Sequence, residues 1–418
     1  MKILLLGLNY APEIIGTGPY TTGLAEALAE RGHEVQAVVG QPYYPQWRPR
    51  PGHRGWRRED AGGVRICRVP HFIPHRPSGA MRLIHQLSFA LAAAPILLGE
   101  ALFWRPDRVI AIAPSLMAAP LALLAARLSG ANSWLHLQDF EFEAALATGL
   151  VSNNRLIANL LGGAEEKILR SFDRVSTISP AMCRRLAEKG VARERIAEHR
   201  NWGDLAHVTP LVRPSALRQK WNIATPHVAL YSGALGRKQG LDLVLDAARA
   251  LAHRGDITFV ISGNGPYRAE LEATASDLGN IRFFDLQPRE HLGELLGLAT
   301  VHLLPQIAGA ADLVLPSKLA NMLASGRPVV ATAARGTGIF DEIEGCGLAV
   351  EPGDAMALAA AIERLSDDPA LAQKLGQAAR QRAERRWHRE TILAHFVRAI
   401  EAAGQSRDPA LAAESLRP

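Results

Sequence analysis

The sequence of 418 residues is poor in cysteine and in aromatic residues, and neither charge sign dominates it strongly. Its three cysteines, Cys67, Cys183 and Cys346, are isolated and have no C-x-x-C spacing. A disulfide framework and a structural zinc site are therefore not indicated, and a reducing compartment, the cytoplasm, is expected. The N-terminal run MKILLLG carries one lysine and is too short for a signal peptide, so we predict a first buried strand.

Long uncharged runs are also scarce. The longest, Val109 to Ala126, approaches the length of a membrane span, but Pro114 and Pro120 interrupt it. We expect a strand, a loop and a buried helix there. A second run, Leu87 to Gly99, is shorter and is expected to be broken at its proline. No integral span is predicted, although the stretch from Leu83 to Trp104 is suited to resting against a bilayer.

Apolar strands alternate with helical segments along the whole chain, which predicts parallel sheets covered by helices on both faces. The length exceeds the roughly 250–300 residues at which a single core stops growing, so two Rossmann-like α/β domains are expected. The predicted divisions are an N-terminal Rossmann-like domain (1–205), a C-terminal Rossmann-like domain (206–385), a helix that crosses back to the first domain (386–404) and a frayed tail (405–418).

The residues that follow the predicted strands have the chemistry of an anion-binding site. Ligands of open parallel sheets collect at the carboxyl ends of the strands, where glycine allows close backbone approach and helix N-termini offer free N–H groups. Ser317 is predicted to cap such a helix. Each loop alone is also compatible with a structural turn or a solvated pair of cations; their combination favours one site for a diphosphate. The residues concerned are Gly16, Thr17, Gly18, Gly233, Arg237, Lys238, Gly263, Asn264, Gly265, Pro316, Ser317 and Lys318.

The stretch from Gln46 to Arg82 is strongly basic, with nine arginines against Glu59 and Asp60 and with interleaved tryptophans. It is either a solvated basic loop or a surface for an anionic partner. No nucleic-acid-binding module accompanies the charge, so a membrane surface is favoured over nucleic acid.

Three segments together resemble the C-terminal domain of the retaining GT-B glycosyltransferases of family 4, the glycosyl transferases group 1. They are YSGALGRKQGLDLVLDAARAL, VISGNGPYRAELE and ADLVLPSKLANMLASGRPVVA. The resemblance extends upstream through RGHEV, TISPAM and RNWGDL. NYAPEIIGTGPYTTGLAEAL, QPYYPQW and LHLQDFEFEAA are similar to the colanic acid biosynthesis branch of that family.

The resemblance implies retaining transfer of a sugar from a nucleotide diphosphate donor, without a metal; the chain has no D-x-D pair, and activity is expected to persist in EDTA. His136 matches the family's donor-sugar histidine, with Asp139 as a secondary acceptor-side base. Asn321 stands where the second glutamate of the family's E-x₇-E element binds ribose, and Asp312 is the nearest acid for the first. Ala234 replaces an arginine of the family, which leaves Arg237 as its substitute.

The same resemblance implies a GDP- or UDP-linked donor, a lipid-linked saccharide acceptor on a polyprenyl diphosphate carrier, and a cytoplasmic enzyme peripheral to the inner face of the membrane. Two alternatives remain open from the sequence. One is a nucleotide-sugar 2-epimerase of the same architecture. The other is a catalytically weak nucleotide-sugar-binding protein, which the presence of Asn321 in place of glutamate makes plausible.

Overall fold

A computed structural model of the protein describes residues 1–14, 16–75, 79–114, 116–140, 155–307 and 315–403. The chain divides into two compact units. The first comprises Met1–Arg200 with the chain from Leu393 on, and the second comprises Asn201–Ile392. The division thus falls after Arg200, where the sequence placed it after residue 205. The tail predicted at 405–418 lies outside the described residues.

The first unit is built on an eight-stranded sheet in the order β3-β4-β2-β1-β5-β6-β7-β8. Its pairs are parallel, except that β3 runs antiparallel to β4 at the edge. The strands are β1 (Lys2–Gly7), β2 (Glu34–Gly40), β3 (Arg57–Ala61), β4 (Val64–Val69), β5 (Arg108–Ala113), β6 (Asn132–Leu137), β7 (Arg174–Thr177) and β8 (Ile196–Glu198).

Helices cover this sheet, and the central strands β1 and β5 are buried except at Lys2, as expected for a parallel sheet with both faces covered. The helices are α1 (Gly18–Glu30), α2 (Gly79–Gly99), α3 (Ala119–Ser129), α4 (Arg155–Ser171) and α5 (Pro180–Glu188). A π-helical turn, Glu100–Trp104, continues α2, and 3₁₀ turns lie at Leu116–Ala118 and Arg193–Arg195.

The second unit has a six-stranded parallel sheet in the order β11-β10-β9-β12-β13-β14. Its strands are β9 (His227–Ser232), β10 (Ile257–Ser262), β11 (Ile281–Phe284), β12 (Val301–Leu304), β13 (Val329–Thr332) and β14 (Gly347–Val350). Its helices are α6 (Leu217–Lys220), α7 (Asp242–Ala250), α8 (Arg268–Thr274), α9 (Leu292–Gly297), α10 (Lys318–Ala324), α11 (Gly338–Ile343), α12 (Ala355–Asp367) and α13 (Pro369–Arg386), with 3₁₀ turns at Arg237–Gln239 and Arg289–His291. The last helix, α14 (Arg389–Ala402), begins in this unit and ends in the first.

The strand–loop–helix prediction for Val109 to Ala126 is confirmed by β5, the 3₁₀ turn and α3. The predicted break at Pro95 is wrong, because α2 continues through this proline. Pro95 has no N–H to donate to the carbonyl of Leu91, one turn earlier. Both residues are exposed, on the solvent side of the helix, where losing one backbone hydrogen bond costs less than in the core.

A layer of aromatic and histidine rings packs beneath the final turns of α14 within the first unit. His199 stacks on Phe396 with ring centroids 3.9 Å apart, and His136 lies 5.0 Å from the same ring. His395 approaches His199 at 5.4 Å. Burial lowers the pKa of His136 to about 3, and it lowers that of His199 well below its usual value. These rings are therefore neutral in the folded protein.

This layer predicts that the first unit loses stability in mild acid. The unfolded chain takes up protons as the pH falls through about 6.5, whereas the folded chain excludes them, so each buried histidine lowers the free energy of unfolding by about 1.4 kcal/mol per pH unit. The measurement is urea unfolding at about pH 7.5 and pH 5.5. His199→Phe, which keeps an aromatic ring, is expected to reduce the difference in the free energy of unfolding between the two pH values. His253→Phe, at an exposed position of the second unit, should leave it unchanged; equal pH dependence in all three proteins would contradict the assignment.

Candidate functional site

The turns after β9 and β10 meet at the carboxyl edge of the second sheet. The Gly233 N–H donates to the Ser262 carbonyl (3.0 Å), and the Leu235 N–H donates to the Asn264 carbonyl (3.0 Å). A Cβ atom on Gly263 would lie 1.8 Å from the Gly233 carbonyl oxygen, so only glycine permits this approach. Gly233 itself has φ 139°, in the region that favours glycine. The sequence-predicted turns at Gly233 and Gly263 are thus one continuous structure.

Lys318 brings a positive charge to this pair of turns. Its ammonium lies 4.0 Å above the Tyr231 ring and 3.6 Å from the position of a Cβ atom on Gly233. The structure gives Lys318 no carboxylate partner among the described residues. Burial lowers its pKa from 10.5 to about 7. An anion bound at the turns would supply the missing counter-charge.

Two predictions about the cap and the basic pair are changed by the structure. Ser317 does not cap α10, since it has helical backbone angles (φ −58°, ψ −26°) and its side chain makes no cap hydrogen bond; the helix begins at Lys318, after Pro316. The Arg237 guanidinium pairs with Glu270 and lies 4.6 Å above the Tyr267 ring. Its charge is therefore partly neutralised. The side chain of Lys238 and all of Asp312 lie outside the described residues.

The side-chain oxygens of the two asparagines predicted to contact a donor both accept hydrogen bonds within the second unit. The Asn321 side-chain oxygen accepts from the Asp204 N–H (2.7 Å), so it holds the 201–208 segment of the second unit in place. The Asn264 side-chain oxygen accepts from Arg268 (2.7 Å), which fixes an exposed turn that continues into Gly265. Asn321 thus has a structural contact that the sequence prediction of ribose binding did not include.

A separate network organises the loop after β1 in the first unit. Buried Glu13 accepts from Asn9 (2.9 Å) and from the N–H groups of Tyr43 and Tyr44 (both 2.9 Å). Burial raises the pKa of Glu13. The predicted glycine turn follows this network and leads into α1: Gly16 has φ 74° and packs against the Tyr44 ring, Thr17 donates to Asn9, and α1 begins at Gly18. The carboxylate of Glu13 therefore ties the turn to the loop after β2.

His136, which the sequence predicts to contact a donor sugar, is buried in the first unit. It lies within β6, 4% exposed, with one ring nitrogen 2.9 Å from the Ser176 hydroxyl and the other 2.9 Å from the Gln138 amide. Phe396 covers the ring. The ring is thus packed within the first unit in this structure, and its predicted contact with a donor sugar stays a prediction. Asp139, two residues beyond the strand, is partly exposed.

Sequence reasoning missed Tyr231 and Glu13. Tyr231 supports Lys318 with its ring and donates its hydroxyl to the Ala234 carbonyl (2.7 Å), which stabilises the turn after β9. Its place at the carboxyl end of a strand was the available signal. Nothing in the sequence distinguishes Glu13 from a solvated acid, because its partners are backbone groups of a loop about thirty residues away.

Comparison with known proteins assigns families to both parts of the chain. Residues 215–382 match the model described as glycosyl transferases group 1. Residues 16–202 match the model of a glycosyl transferase 4-like domain. The chain is 39% identical over 411 residues to the putative colanic acid biosynthesis glycosyl transferase WcaI of Escherichia coli K12, an alignment that covers 96% of this chain and 100% of that protein.

Solved structures show the same fold at low sequence identity. Sucrose-phosphate synthase from Thermosynechococcus elongatus matches with a TM-score of 0.74 and 19% identity, covering 96% of this chain and 98% of that one. Anabaena HepE, solved in complex with UDP-glucose, matches with a TM-score of 0.70 and 17% identity, covering 96% and 100%. The predicted GT-B fold class, with two Rossmann-like α/β domains, is confirmed.

Proposed function

The chain belongs to the glycosyl transferases group 1, and from this membership we propose that it moves a hexose, with retention at the anomeric carbon, from a nucleoside diphosphate to a lipid-linked saccharide in bacterial exopolysaccharide assembly. That it is a glycosyltransferase follows from the family. The donor, the acceptor and the stereochemistry belong to the proposal. The similarity to WcaI, a putative colanic acid biosynthesis enzyme, supports exopolysaccharide as the product class.

The observation that supports the donor most directly is Lys318 beside the paired glycine turns. When the glycosyl bond to a nucleoside diphosphate breaks, negative charge accumulates on the leaving phosphate. A preorganised cation in a site of low dielectric stabilises that charge more strongly than water does. Lys318 is held over an aromatic ring and has no competing carboxylate in the described structure. Its chemistry thus suits departure of a diphosphate without a divalent metal, which is part of the proposal.

The acceptor and the location belong to the same proposal. A saccharide on a polyprenyl diphosphate carrier is confined to the membrane, so the enzyme is proposed to work in the cytoplasm at the inner face of the membrane. The basic stretch from Gln46 to Arg82 supports this location, since anionic headgroups attract clustered arginines.

The proposed donor class is tested by thermal unfolding of the purified protein with UDP, GDP and dTDP and with their hexose conjugates. We expect one nucleoside diphosphate to raise the melting temperature, and its monophosphate to raise it less, because a ligand stabilises the folded state according to its affinity. The Anabaena HepE complex puts UDP-glucose first in the panel. Absence of stabilisation by every diphosphate would refute the donor proposal.

The reaction is tested by proton NMR of the stabilising donor, first alone and then with a membrane lipid extract. Transfer with retention is expected to give a lipid-soluble product with the donor's anomeric configuration. Conversion of the donor alone to its 2-epimer would identify an epimerase instead. Donor binding with neither transfer nor hydrolysis would indicate a binding protein.

The lowered pKa of Lys318 predicts a pH dependence of donor affinity. Below about pH 7 its ammonium is charged and binds the diphosphate; above it the free site deprotonates, and the affinity for a nucleotide sugar falls by up to about tenfold per pH unit. The measurement is calorimetric titration of the stabilising nucleotide sugar between about pH 6 and pH 8.5. Lys318→Arg, which stays charged, is expected to remove the dependence. If the affinities of the wild type and of Lys318→Arg fell in parallel with pH, the titrating group would be a residue other than Lys318.

A further inference from the structure

The outward face of α2 carries a row of apolar side chains that the described residues leave exposed. We infer that this row is a docking surface for an anionic lipid bilayer, on which the first unit lies without crossing it. The row, called here the α2 stripe, consists of Ile84, Leu87, Leu91, Leu102 and Phe103. The inference rests on the proposed function only in that a lipid-linked acceptor gives the surface a purpose.

The α2 stripe is formed by helical spacing and is well exposed. Ile84, Leu87 and Leu91 recur at the three- and four-residue intervals that place side chains on one face of a helix. Leu91 is 67% exposed, and Phe103, on the π-helical turn that continues the helix, is 89% exposed. No Asp, Glu, Lys or Arg occurs from Leu83 to Gly99. Single exposed leucines are ordinary on a protein surface, but a continuous uncharged face is not.

The length of the helical segment also passes the usual criterion for a membrane span. Met81–Trp104 has a mean hydropathy of 1.7, and 28% of its apolar window is buried. The opposite face, however, belongs to the core of the first unit through Phe89, Ala93, Leu97 and Ala101. A spanning helix would have to leave that core. A helix with one face in the protein core and one apolar face in solvent is suited to lying in the plane of the interface.

The surroundings of the α2 stripe indicate the charge of its partner. Trp56 is 61% exposed and is held against the helix by a hydrogen bond from its indole N–H to the Ala92 carbonyl (3.5 Å). Exposed Arg57 follows it in the chain, and Arg82 lies on α2 itself, where it covers the Trp47 ring at 5.5 Å. Tryptophan and arginine beside an apolar face are the residues found at the headgroup level of anionic membranes.

Charge favours a bilayer over a second copy of this chain. The stretch from Gln46 to Arg82 holds nine arginines and two acids. Two copies docked through the α2 stripe would bring these two basic stretches close together, and like charges at an interface oppose association. An anionic headgroup layer neutralises the same arginines while the apolar side chains enter the region of the acyl chains.

The test is flotation of the full-length protein with vesicles of phosphatidylethanolamine and phosphatidylglycerol, compared with pure phosphatidylcholine vesicles. The double variant Leu87→Glu, Leu91→Glu is expected to lower partitioning into the anionic vesicles by at least about tenfold, because carboxylates would enter an apolar layer of like-charged lipids. Met356→Glu is the matched control, since Met356 in the second unit is 69% exposed and Leu91 67%. Its partitioning should equal that of the wild type.

A fluorescent label gives a second readout that does not require a destabilising change. An environment-sensitive dye attached at Leu91→Cys is expected to shift to the blue on adding the anionic vesicles, and the same dye at Met356→Cys is not. Equal partitioning of the double glutamate variant and the wild type, or equal shifts at the two labelled positions, would overturn the inference. So would a dimer of the wild type that Leu91→Glu dissociates without any vesicle binding.

Donor binding separates this inference from the proposed function. The double glutamate variant should keep the thermal stabilisation by the nucleoside diphosphate, because the substituted residues belong to the first unit and Lys318 belongs to the second. Vesicle binding without any diphosphate binding would remove the proposed donor and leave the docking surface. Diphosphate binding without vesicle binding would remove the docking surface and leave the proposed donor.

Discussion

Replacing Lys318 by methionine is expected to lower kcat/KM for transfer by about 10²- to 10³-fold, the usual cost of removing one preorganised group that stabilises developing negative charge. Methionine is unbranched and only one heavy atom shorter than lysine, and it removes the cation that lies over the Tyr231 ring. Since the ammonium is desolvated in the free protein, the change costs no salt bridge, and folding should be unaffected or slightly favoured. The loss should therefore be of activity and not of fold.

The measurement is steady-state transfer with the donor identified by thermal unfolding, together with urea unfolding of the same preparations. Lys374→Met provides the matched control, because Lys374 is an exposed lysine of α13 in the same unit. Lys318→Met should lower kcat more than it raises KM, as expected for an interaction that strengthens as the diphosphate departs. A variant with wild-type turnover would show that another group carries the leaving-group charge.

The sequence was a good guide to the sheets because their central strands are buried on both faces and read as continuous apolar runs. β1 and β5 coincide with such runs, KILLLG and RVIAIA. The antiparallel edge strand β3 was not predicted. Its sequence, RREDA, contains alanine as its single apolar residue, and the strand pairs on one side only. Its pairing with β4 is a tertiary choice that no local pattern shows.

The site was predictable in its backbone and less so in its side chains. Glycines after strands indicate close approach, and the glycine turns after β9 and β10 do meet. Side-chain roles depend on partners distant in the chain. His136 was read as a ligand-facing residue, yet Phe396, far along the chain, covers it. Ser317 was read as a cap from the spacing of a proline and a lysine, but a serine caps only when its backbone is extended, which here it is not.

Gly263→Ala is expected to be the most damaging single-methyl change in the second unit. The added Cβ would lie 1.8 Å from the Gly233 carbonyl oxygen, a backbone atom that cannot rotate away, so the turns after β9 and β10 must separate. Forced overlap of this kind belongs to the few mechanisms that cost more than about 4 kcal/mol. Gly233 also faces the Lys318 ammonium, so its displacement disrupts the proposed diphosphate contact as well.

Gly279→Ala isolates the cause of this effect. Gly279 lies in a turn of the same unit, has no atom of the described residues within 4 Å of an added Cβ, and, like Gly263, does not have a positive φ. The two substitutions therefore differ in contact and not in backbone freedom. Urea unfolding should show a large loss for Gly263→Ala and a change within about 1 kcal/mol for Gly279→Ala. At a temperature where both variants are folded, only Gly263→Ala should lose thermal stabilisation by the nucleoside diphosphate. If it binds the diphosphate as the wild type does, the two turns do not form the donor site, and the role given to Lys318 beside them falls with that result.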